Sequence, residues 1–240
     1  MQDHFVLYLN LGGTVAKLLD PDEAPRLGSS GSPVDCQRHF NRILASLASR
    51  DPATKVFCMG DFAYAIADDP MTLVEFASEA FREMTQHAGK FELWPLRGAV
   101  ARGARLDVPH IAASFFDAGL SGEGINHAAR LEKQGLKGFR LFLSNELGES
   151  LAEKCLVREG FTSAGRYFEV NWMDVSYLEH VVEDQKIDSH LRSRSLALFE
   201  EESNYCRQLA SSIRDLLSWR IEGRKLSQRE KVRYLHPPTH

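Results

Sequence analysis

Hydrophobic and polar positions follow two different periods along the chain, and each period predicts one type of element. Short apolar runs predict a strand at 5–11, which ends at Gly12-Gly13, and a hairpin whose strands, Lys55–Met59 and Phe62–Ala67, flank Gly60-Asp61. Apolar residues three and four positions apart predict amphipathic helices. Further strands are predicted at 94–101, 138–144 and 166–174, and helices at 36–49, 71–87, 126–135 and 145–154.

The order of these elements predicts the fold class. It reads β-α-β-β-α-β followed by a further αβαβ portion, which is typical of an α+β fold with helices on one face of a mainly antiparallel sheet. Segment 19–35 is rich in Pro, Gly, Ser and Asp and is predicted to be a loop. From about residue 181 the apolar residues recur at helical separations. We therefore predict a domain over 1–178 and a C-terminal helical extension and tail over 179–240.

The helical extension leaves three roles open. It could pack on its own domain, mediate dimerisation or bind a partner, and a surface helix is the simplest of these interpretations.

Composition and charge exclude several classes of function. The chain has 240 residues, 43% of them hydrophobic, and a formal net charge of -4, so no basic field favours nucleic acid. No apolar run approaches the roughly 20 residues that span a bilayer, and the N-terminus lacks signal-peptide features. The four cysteines are isolated, without the C-x-x-C spacing of zinc sites. We expect a cytoplasmic protein that binds neither membrane nor nucleic acid.

Four separated segments carry the candidate chemistry: VLYLNLGGT at 6–14, KVFCMGDFAYAI at 55–66, LRGAVARG at 96–103 and GEGINHAARLEKQG at 122–135. In this order and at these distances they resemble the catalytic domain of class III nucleotidyl cyclases, the adenylate and guanylate cyclase family. The first resembles the family's strand ending in Asp-Ile-x-Gly-x-Thr, and the second resembles its Gly-Asp hairpin. The last resembles its Gly-x-x-x-Asn-x-x-x-Arg helix. The resemblance covers most of residues 5–175 and implies a ferredoxin-like α+β fold.

The resemblance implies a metal site at Asn10, Leu11 and Asp61. In a cyclisation the ribose 3′-oxygen attacks the α-phosphorus while pyrophosphate leaves, and two ions roughly 3.5–4 Å apart suit that reaction. The implied cofactors are two Mn²⁺ or Mg²⁺ ions. The family has aspartate where this chain has Asn10, whose amide oxygen can ligate a metal but carries no charge. A low-activity variant, a non-catalytic cyclase-like module and a deliberately inactivated enzyme all remain open.

Asn126 and Arg130 are four residues apart and share one side of the predicted helix. An Asn/Arg pair alone would indicate only a polar helix face. The resemblance assigns Asn126 to orientation of the ribose and Arg130 to the charge that develops on the α-phosphate. In the family these two residues and the metal carboxylates come from different protomers. The resemblance therefore implies a homodimer with sites at its interface.

A third group of residues is implied to bind the triphosphate. Turns of successive backbone N–H groups can cradle phosphates. Judged alone, Gly12-Gly13 is equally a plain turn, and Arg166 is equally a solvated surface residue. Arg158 or Lys154 could contribute the cation that contacts the triphosphate in place of Arg166. The implied triphosphate-binding residues are Gly12, Gly13, Thr14 and Arg166.

Base selection is predicted from three positions. Family members that cyclise ATP usually carry lysine, and those that cyclise GTP glutamate, where this chain has Phe57. The family's second selector, an aspartate or a cysteine, aligns with Gly119, which can make no side-chain hydrogen bond. A bulky Phe57 would narrow the pocket and offer an aromatic surface to a smaller base, although it is equally a core aromatic. This pattern resembles the pyrimidine cyclases of bacterial Pycsar anti-phage systems. Arg97 could point toward base or phosphate, or form a salt bridge.

The sequence thus predicts a pyrimidine nucleotide cyclase that converts UTP, or less favourably CTP, to its 3′,5′-cyclic monophosphate. Its product would act as a second messenger of antiviral defence on a separate effector protein. Two alternatives remain: a non-catalytic cyclase-like module that binds a nucleotide or a protein, and an adenylate or guanylate cyclase.

Overall fold

The computed structural model of the chain describes residues 4–12, 33–86, 96–106, 110–112, 115–117, 120–133, 138–155, 157–162 and 165–173, with Asp215, Leu216 and Trp219. Three predicted site residues, Gly13, Thr14 and Gly119, lie outside the described residues. So do most of the predicted loop at 19–35 and most of the C-terminal extension at 179–240.

A mainly antiparallel sheet forms the centre of the fold, as predicted. The strands are β1 (His4–Leu11), β2 (Lys55–Met59), β3 (Phe62–Ala67), β4 (Leu96–Leu106), β5 (His110–Ala112), β6 (Phe115–Asp117), β7 (Leu120–Ser121), β8 (Arg140–Leu143), β9 (Val157–Thr162) and β10 (Gly165–Val170). The main path of the sheet has the order β2-β3-β1-β4-β8-β10-β9, and β7 pairs with the far end of β4. Only β4 and β8 are parallel among the described pairings.

Helices cover both faces of the sheet, which corrects the prediction that they lie on one face. The helices are α1 (Pro33–Arg50), α2 (Pro70–Gln86), α3 (Glu123–Glu132) and α4 (Asn145–Leu151). Successive side chains of a strand point to opposite faces. On β1, Leu7 and Leu9 join the main core with α1, α2 and α4, whereas Val6 and Tyr8 pack in a second cluster under α3. None of the helices in the described residues has the length and hydropathy to cross a membrane.

The predicted hairpin is confirmed at every residue, but strand β9 was not predicted. Both hairpin strands have the predicted bounds, Lys55–Met59 and Phe62–Ala67. Strand β9 is an edge strand in which no side chain is fully buried, so it lacks the apolar alternation that predicts strands. Strand β4 also continues to Leu106, beyond the predicted end at residue 101. The prediction ended too early because Arg102 and Gly103 interrupt the apolar pattern of the strand.

The C-terminal extension packs on its own chain at the three residues described there. Leu216 is completely buried in the main core, and Trp219 packs against the same core. The side-chain amide of Asn171 donates a hydrogen bond of 2.8 Å to the backbone carbonyl of Leu216. These contacts join the extension to the end of β10.

Four charged side chains reinforce this contact, and we call them the four-charge cluster: Arg140, Arg158, Glu169 and Asp215. Glu169 is fully buried and lies 2.7 Å from both Arg140 and Arg158. Asp215 contacts the same two arginines, at 2.7 Å and 2.5 Å. The Arg158 guanidinium also stacks on the Trp219 ring, 4.4 Å from its centre. Two carboxylates thus balance two guanidinium groups.

We expect Asp215→Asn to lower the melting temperature at neutral pH, and the loss to shrink in acid. Hydrogen bonds from Arg158 lower the pKa of Asp215 from its ordinary value of 3.8 to about 2. Because the folded-state pKa is the lower one, this stabilisation is complete above the unfolded pKa and disappears as pH falls through about 2. Melting curves of both proteins between neutral and acidic pH measure the difference. A difference that does not change with pH would contradict this assignment.

Candidate functional site

The end of β1 and the tip of the β2–β3 hairpin bring Asn10 and Asp61 together. Asn10 lies opposite Phe62 in the ladder, and Asp61 directly precedes Phe62. The backbone N–H of Leu11 donates a hydrogen bond of 2.7 Å to the carbonyl oxygen of Asp61. Gly60 has a φ of 72°, a left-handed conformation that glycine adopts without strain. The three predicted metal-site residues therefore lie side by side.

Arg97 lies opposite Asn10 on β4. Such cross-strand neighbours point to one face, with Cβ atoms about 4.5–5.5 Å apart. The Nη2 atom of Arg97 lies 2.6 Å from Oε1 of Glu132, whose side chain is 0% exposed against 17% for Arg97. Burying either charge alone would be costly, so this ion pair holds both side chains in place. We call Asn10, Asp61, Arg97 and Glu132 the Asn10 cluster.

Tyr8 shares the face of Asn10, two residues earlier on β1. Burial raises the pKa of its hydroxyl well above the usual range. The carboxylates of Glu132 and Asp61 add to this rise in pKa, and Arg97 opposes it. The charges of the Asn10 cluster therefore act on one neutral phenol, which stays protonated at neutral pH.

Asn126 and Arg130 are exposed on one side of α3, whose other side is buried against the sheet. Both line a pocket of about 730 Å³, a volume typical of small-molecule sites. Neither Asn10 nor Asp61 is among its described lining residues. A single chain therefore does not bring the two sets of predicted residues into one pocket.

Two glycines set the position of α3 on β4. A Cβ atom on Gly124 would overlap the carbonyl oxygen of Arg102, and one on Gly122 would overlap that of Gly103. Gly122 also has a φ of 119°, which disfavours other residues. The glycines that precede Asn126 in the sequence thus allow the helix to pack directly on the strand backbone.

Sequence reasoning missed several residues of this pocket. His127 shares the exposed side of α3 with the predicted pair, and helical spacing could have identified it. Ser144 is buried at the end of β8, and its hydroxyl has no hydrogen-bond partner among the described residues. No local pattern links β4 and α4 to this pocket. The lining residues beyond the predicted pair are Arg102, Glu123, Gly124, His127, Ser144, Asn145 and Glu146.

Phe57 lies on the same sheet face as Asn10. It is opposite Tyr64, which in turn is opposite Tyr8. The rings of Tyr8 and Tyr64 are 5.2 Å apart, and Phe57 is half-buried beside them. Alternation along β2 did not decide which face of the sheet Phe57 occupies. The register of β2, β3 and β1 places Phe57 on the face that α3 covers.

Arg166 lies on the opposite face of the sheet, packed over Phe168 of the main core. Its guanidinium is 2.7 Å from Glu159 and 3.3 Å from Glu149. One chain therefore does not bring Arg166 to the pocket of Asn126 and Arg130. Of the two alternatives to Arg166, Arg158 belongs to the four-charge cluster and Lys154 is exposed.

The chemistry of the donor set fits one divalent cation at the end of β1. Asp61 offers a carboxylate and Asn10 an amide oxygen, both ligands of Mg²⁺ and Mn²⁺. The carboxylate of Glu132 is paired with Arg97. Across the described residues, no group of three or more His, Cys, Asp and Glu side chains could hold a metal. Of the three predicted metal-site residues, only Asp61 carries a carboxylate.

Comparison with known proteins gives matches in structure only. The chain matches no protein-family profile, and no curated protein is significantly similar to it in sequence.

Three solved structures illustrate the likeness. The guanylyl cyclase Cya2 is 14% identical with a TM-score of 0.55, over 73% of this chain and 95% of that one. The adenylyl cyclase CyaB from P. aeruginosa is 14% identical, with a TM-score of 0.52 over 72% and 95%. The guanylate cyclase domain of RhGC from Catenaria anguillulae, in complex with GTP, is 16% identical, with a TM-score of 0.51 over 70% and 96%. The chain therefore has the fold of the class III nucleotidyl cyclase catalytic domains.

Proposed function

We propose that this protein is a pyrimidine nucleotide cyclase that converts UTP, with CTP as the second choice, to the 3′,5′-cyclic monophosphate and pyrophosphate. The observation that carries the proposal is the exposed pair Asn126 and Arg130, which lines a pocket large enough for a nucleotide in a cyclase fold. Asp61 beside the end of β1 adds a carboxylate on a second element.

The reaction forms a bond between the ribose 3′-oxygen and the α-phosphorus and breaks the bond to pyrophosphate. Asn126 would orient the ribose through its amide. Arg130 would stabilise the charge on the α-phosphate, because a guanidinium is always charged and offers a planar set of donors. Asp61 and Asn10 would hold a divalent cation, Mn²⁺ or Mg²⁺, which neutralises charge on the triphosphate when bound.

The separation of the two residue sets supports a homodimer. Asn126 and Arg130 line a pocket that lacks Asn10 and Asp61 among its described residues. A second copy related by two-fold symmetry would supply the missing set at each of two equivalent sites. Each active site then lies at the interface and is incomplete in one protomer.

Phe57 supports the choice of a pyrimidine. It lies on the α3 side of the sheet, half-buried beside Tyr64. An aromatic ring offers a stacking surface but no hydrogen bond to a purine edge. Arg97, another predicted selector, is engaged with Glu132.

The biological role that follows is a second messenger of antiviral defence. The cyclic pyrimidine nucleotide would act on a separate effector protein in the cytoplasm. The support for this role is the resemblance of the selector positions to the Pycsar cyclases.

We expect cyclic UMP as the main product when the protein and its Asn10→Asp variant are each incubated with ATP, GTP, CTP and UTP plus Mn²⁺. Phe57 would narrow the site at the dimer interface toward a small base, and the added carboxylate should raise the yield. Mass spectrometry identifies each product. Cyclic AMP or cyclic GMP as the only product would contradict the pyrimidine assignment. ATP and GTP are the control substrates, because the similar solved structures are adenylyl and guanylyl cyclases.

Asn10 favours a second candidate function, a non-catalytic cyclase-like module. Without a charge at position 10 the fold could bind a nucleotide or a protein in the same cleft and not turn it over. No cyclic nucleotide from either protein, with folding and dimerisation confirmed, would favour this module over the cyclase.

A further inference from the structure

Four side chains of α3 form one polar stripe along the pocket of about 730 Å³. Glu123, Asn126, His127 and Arg130 stand at positions i, i+3, i+4 and i+7, which is the spacing of one helix face. All four are exposed, and all four line the pocket. We call them the α3 stripe. The proposed function uses Asn126 and Arg130 and leaves Glu123 and His127 without a role.

The side chains of the α3 stripe are available to a ligand. Within the described part of the chain, no hydrogen bond or ion pair engages any of the four. Other exposed cations are paired, such as Arg38 with Asp35 and Arg166 with Glu159. A nucleotide in the pocket therefore does not have to displace an internal partner from the stripe.

His127 stands beside the two residues that the proposed function places on the reacting atoms. Residues three and four apart on a helix have Cβ atoms about 5–6 Å apart. Arg130 is therefore a neighbour of both Asn126 and His127. If Asn126 orients the ribose and Arg130 contacts the α-phosphate, the 3′-oxygen and the α-phosphorus lie between those two side chains. The imidazole of His127 is next to that position.

Cyclisation requires a group that takes up a proton. The 3′-hydroxyl loses its proton as its oxygen bonds to the α-phosphorus, and pyrophosphate leaves with the electron pair of the broken bond. An imidazole is the side-chain group best suited to accept and release a proton near neutral pH. The guanidinium of Arg130 has no acceptor, and the amide of Asn126 is not a base.

Glu123 lies one helical turn before His127, at the i,i+4 separation. A carboxylate in that place can accept a hydrogen bond from one ring nitrogen and leave the other nitrogen to the substrate. It also favours the charged imidazolium that forms when the proton arrives. The charged groups around His127 in the pocket are Glu123 and Arg130 on α3, Arg102 on β4 and Glu146 on α4.

We propose that His127 is the general base of the cyclisation and that Glu123 is its positioning residue. One ring nitrogen of His127 accepts the proton of the 3′-hydroxyl as the 3′-oxygen bonds to the α-phosphorus, and the proton then passes to solvent. This inference rests on the proposed cyclase function and adds the proton acceptor to it.

The kinetic test compares His127→Gln with its parent, which is the more active of the unmodified chain and Asn10→Asp. We expect kcat to fall by about 10²–10⁴-fold, the usual contribution of a general base, with KM nearly unchanged. The parent should lose activity in acid as the imidazole becomes protonated, and His127→Gln should lack that part of the pH profile. Titration of the substrate is common to both proteins, so the difference between the profiles belongs to His127.

Chemical rescue separates a base from a structural side chain. Because His127 is exposed in an open pocket, free imidazole can reach the space left in His127→Ala. Added imidazole should restore part of the rate, and more of it at higher pH. Glu123→Gln should lower kcat less than His127→Gln. His4→Gln is the control, since His4 lies on β1 outside the described lining of the pocket, and it should leave the rate and the pH profile unchanged.

A binding measurement gives a readout that needs no turnover. The probes are the non-cyclisable α,β-methylene analogue of UTP and its 3′-deoxy counterpart. Nuclear magnetic resonance follows the ring signals of the nine histidines, and the loss of one signal in His127→Gln identifies His127. We expect the analogue with a 3′-hydroxyl to shift this signal further than the 3′-deoxy analogue does. Equal shifts at saturation would overturn the contact with the 3′-hydroxyl.

Two outcomes separate this inference from the proposed function. Cyclic nucleotide formation by His127→Gln at the parent rate and with the parent pH profile would overturn the general base and leave the cyclase standing. No cyclic nucleotide from the unmodified chain or from Asn10→Asp would contradict the proposed function, and the inference that rests on it would fall as well.

Discussion

Arg130→Ala should lower the rate of cyclic nucleotide formation by about 10²–10³-fold, the usual cost of removing one donor that stabilises transition-state charge. Arg130 is exposed on α3 and lines the 730 Å³ pocket, so its loss leaves no buried cavity. The substitution is made in the more active of two backgrounds, the unmodified chain or the Asn10→Asp variant, and the rate is measured there. Arg130→Lys should recover only part of the rate, because an ammonium lacks the planar set of donors.

Lys133→Ala is the matched control for this prediction. Lys133 is an exposed cation just after α3 and is not among the described lining residues of the pocket. Its loss should leave the rate nearly unchanged. Equal effects of Arg130→Ala and Lys133→Ala would show that only general charge matters and would contradict the assigned role.

Mixing two inactive variants tests whether the two residue sets belong to one shared site. Arg130→Ala and Asp61→Asn each remove one set, and a mixed dimer retains one intact site of two. Random exchange should therefore restore about a quarter of the unmodified rate. No recovery, with exchange confirmed, would contradict the homodimeric site.

Glu169→Ala should lower the free energy of unfolding by about 3–5 kcal/mol, the cost of removing one partner from a buried ion pair. Glu169 is completely buried and contacts Arg140 and Arg158 at 2.7 Å each. Without it, Asp215 alone faces two guanidinium groups, and Asp215 is 40% exposed. Urea denaturation measures the change.

Glu149→Ala provides the comparison on the surface. Glu149 also contacts an arginine, Arg166, but at 3.3 Å and with both side chains substantially exposed. Exposed pairs contribute about 0–1 kcal/mol, so we expect a small effect. A similar loss in both variants would contradict the stabilisation assigned to the buried ion pairs of Glu169.

Local sequence patterns predicted the elements that carry most of the candidate site. Alternation and the Gly60-Asp61 turn gave both strands of the hairpin with their observed bounds. Helical spacing placed Asn126 and Arg130 on one side of α3, where the structure exposes both. These features depend on residues close in sequence, so their periods are visible without any tertiary contact.

Patterns failed where burial or contact comes from distant segments. The edge strand Val157–Thr162 buries no side chain fully and therefore shows no apolar alternation. The apolar run at 5–11 is nearly continuous, which is typical of a strand covered on both faces, but it does not identify the helices that cover each face. The contribution of Ser144 to the pocket depends on how the end of β8 packs beside α3.

The sequence by itself determined the α+β elements, the cyclase-like order of motifs and the missing charge at Asn10. The tertiary structure alone decided that Phe57 shares the α3 side of the sheet with Asn10 and that Arg166 lies on the other face. It also decided that Arg97 pairs with Glu132 and that Asp215 joins the C-terminal extension to the sheet. The reason is physical: residue type and period are local properties, whereas strand register and ion pairing join residues far apart in the chain.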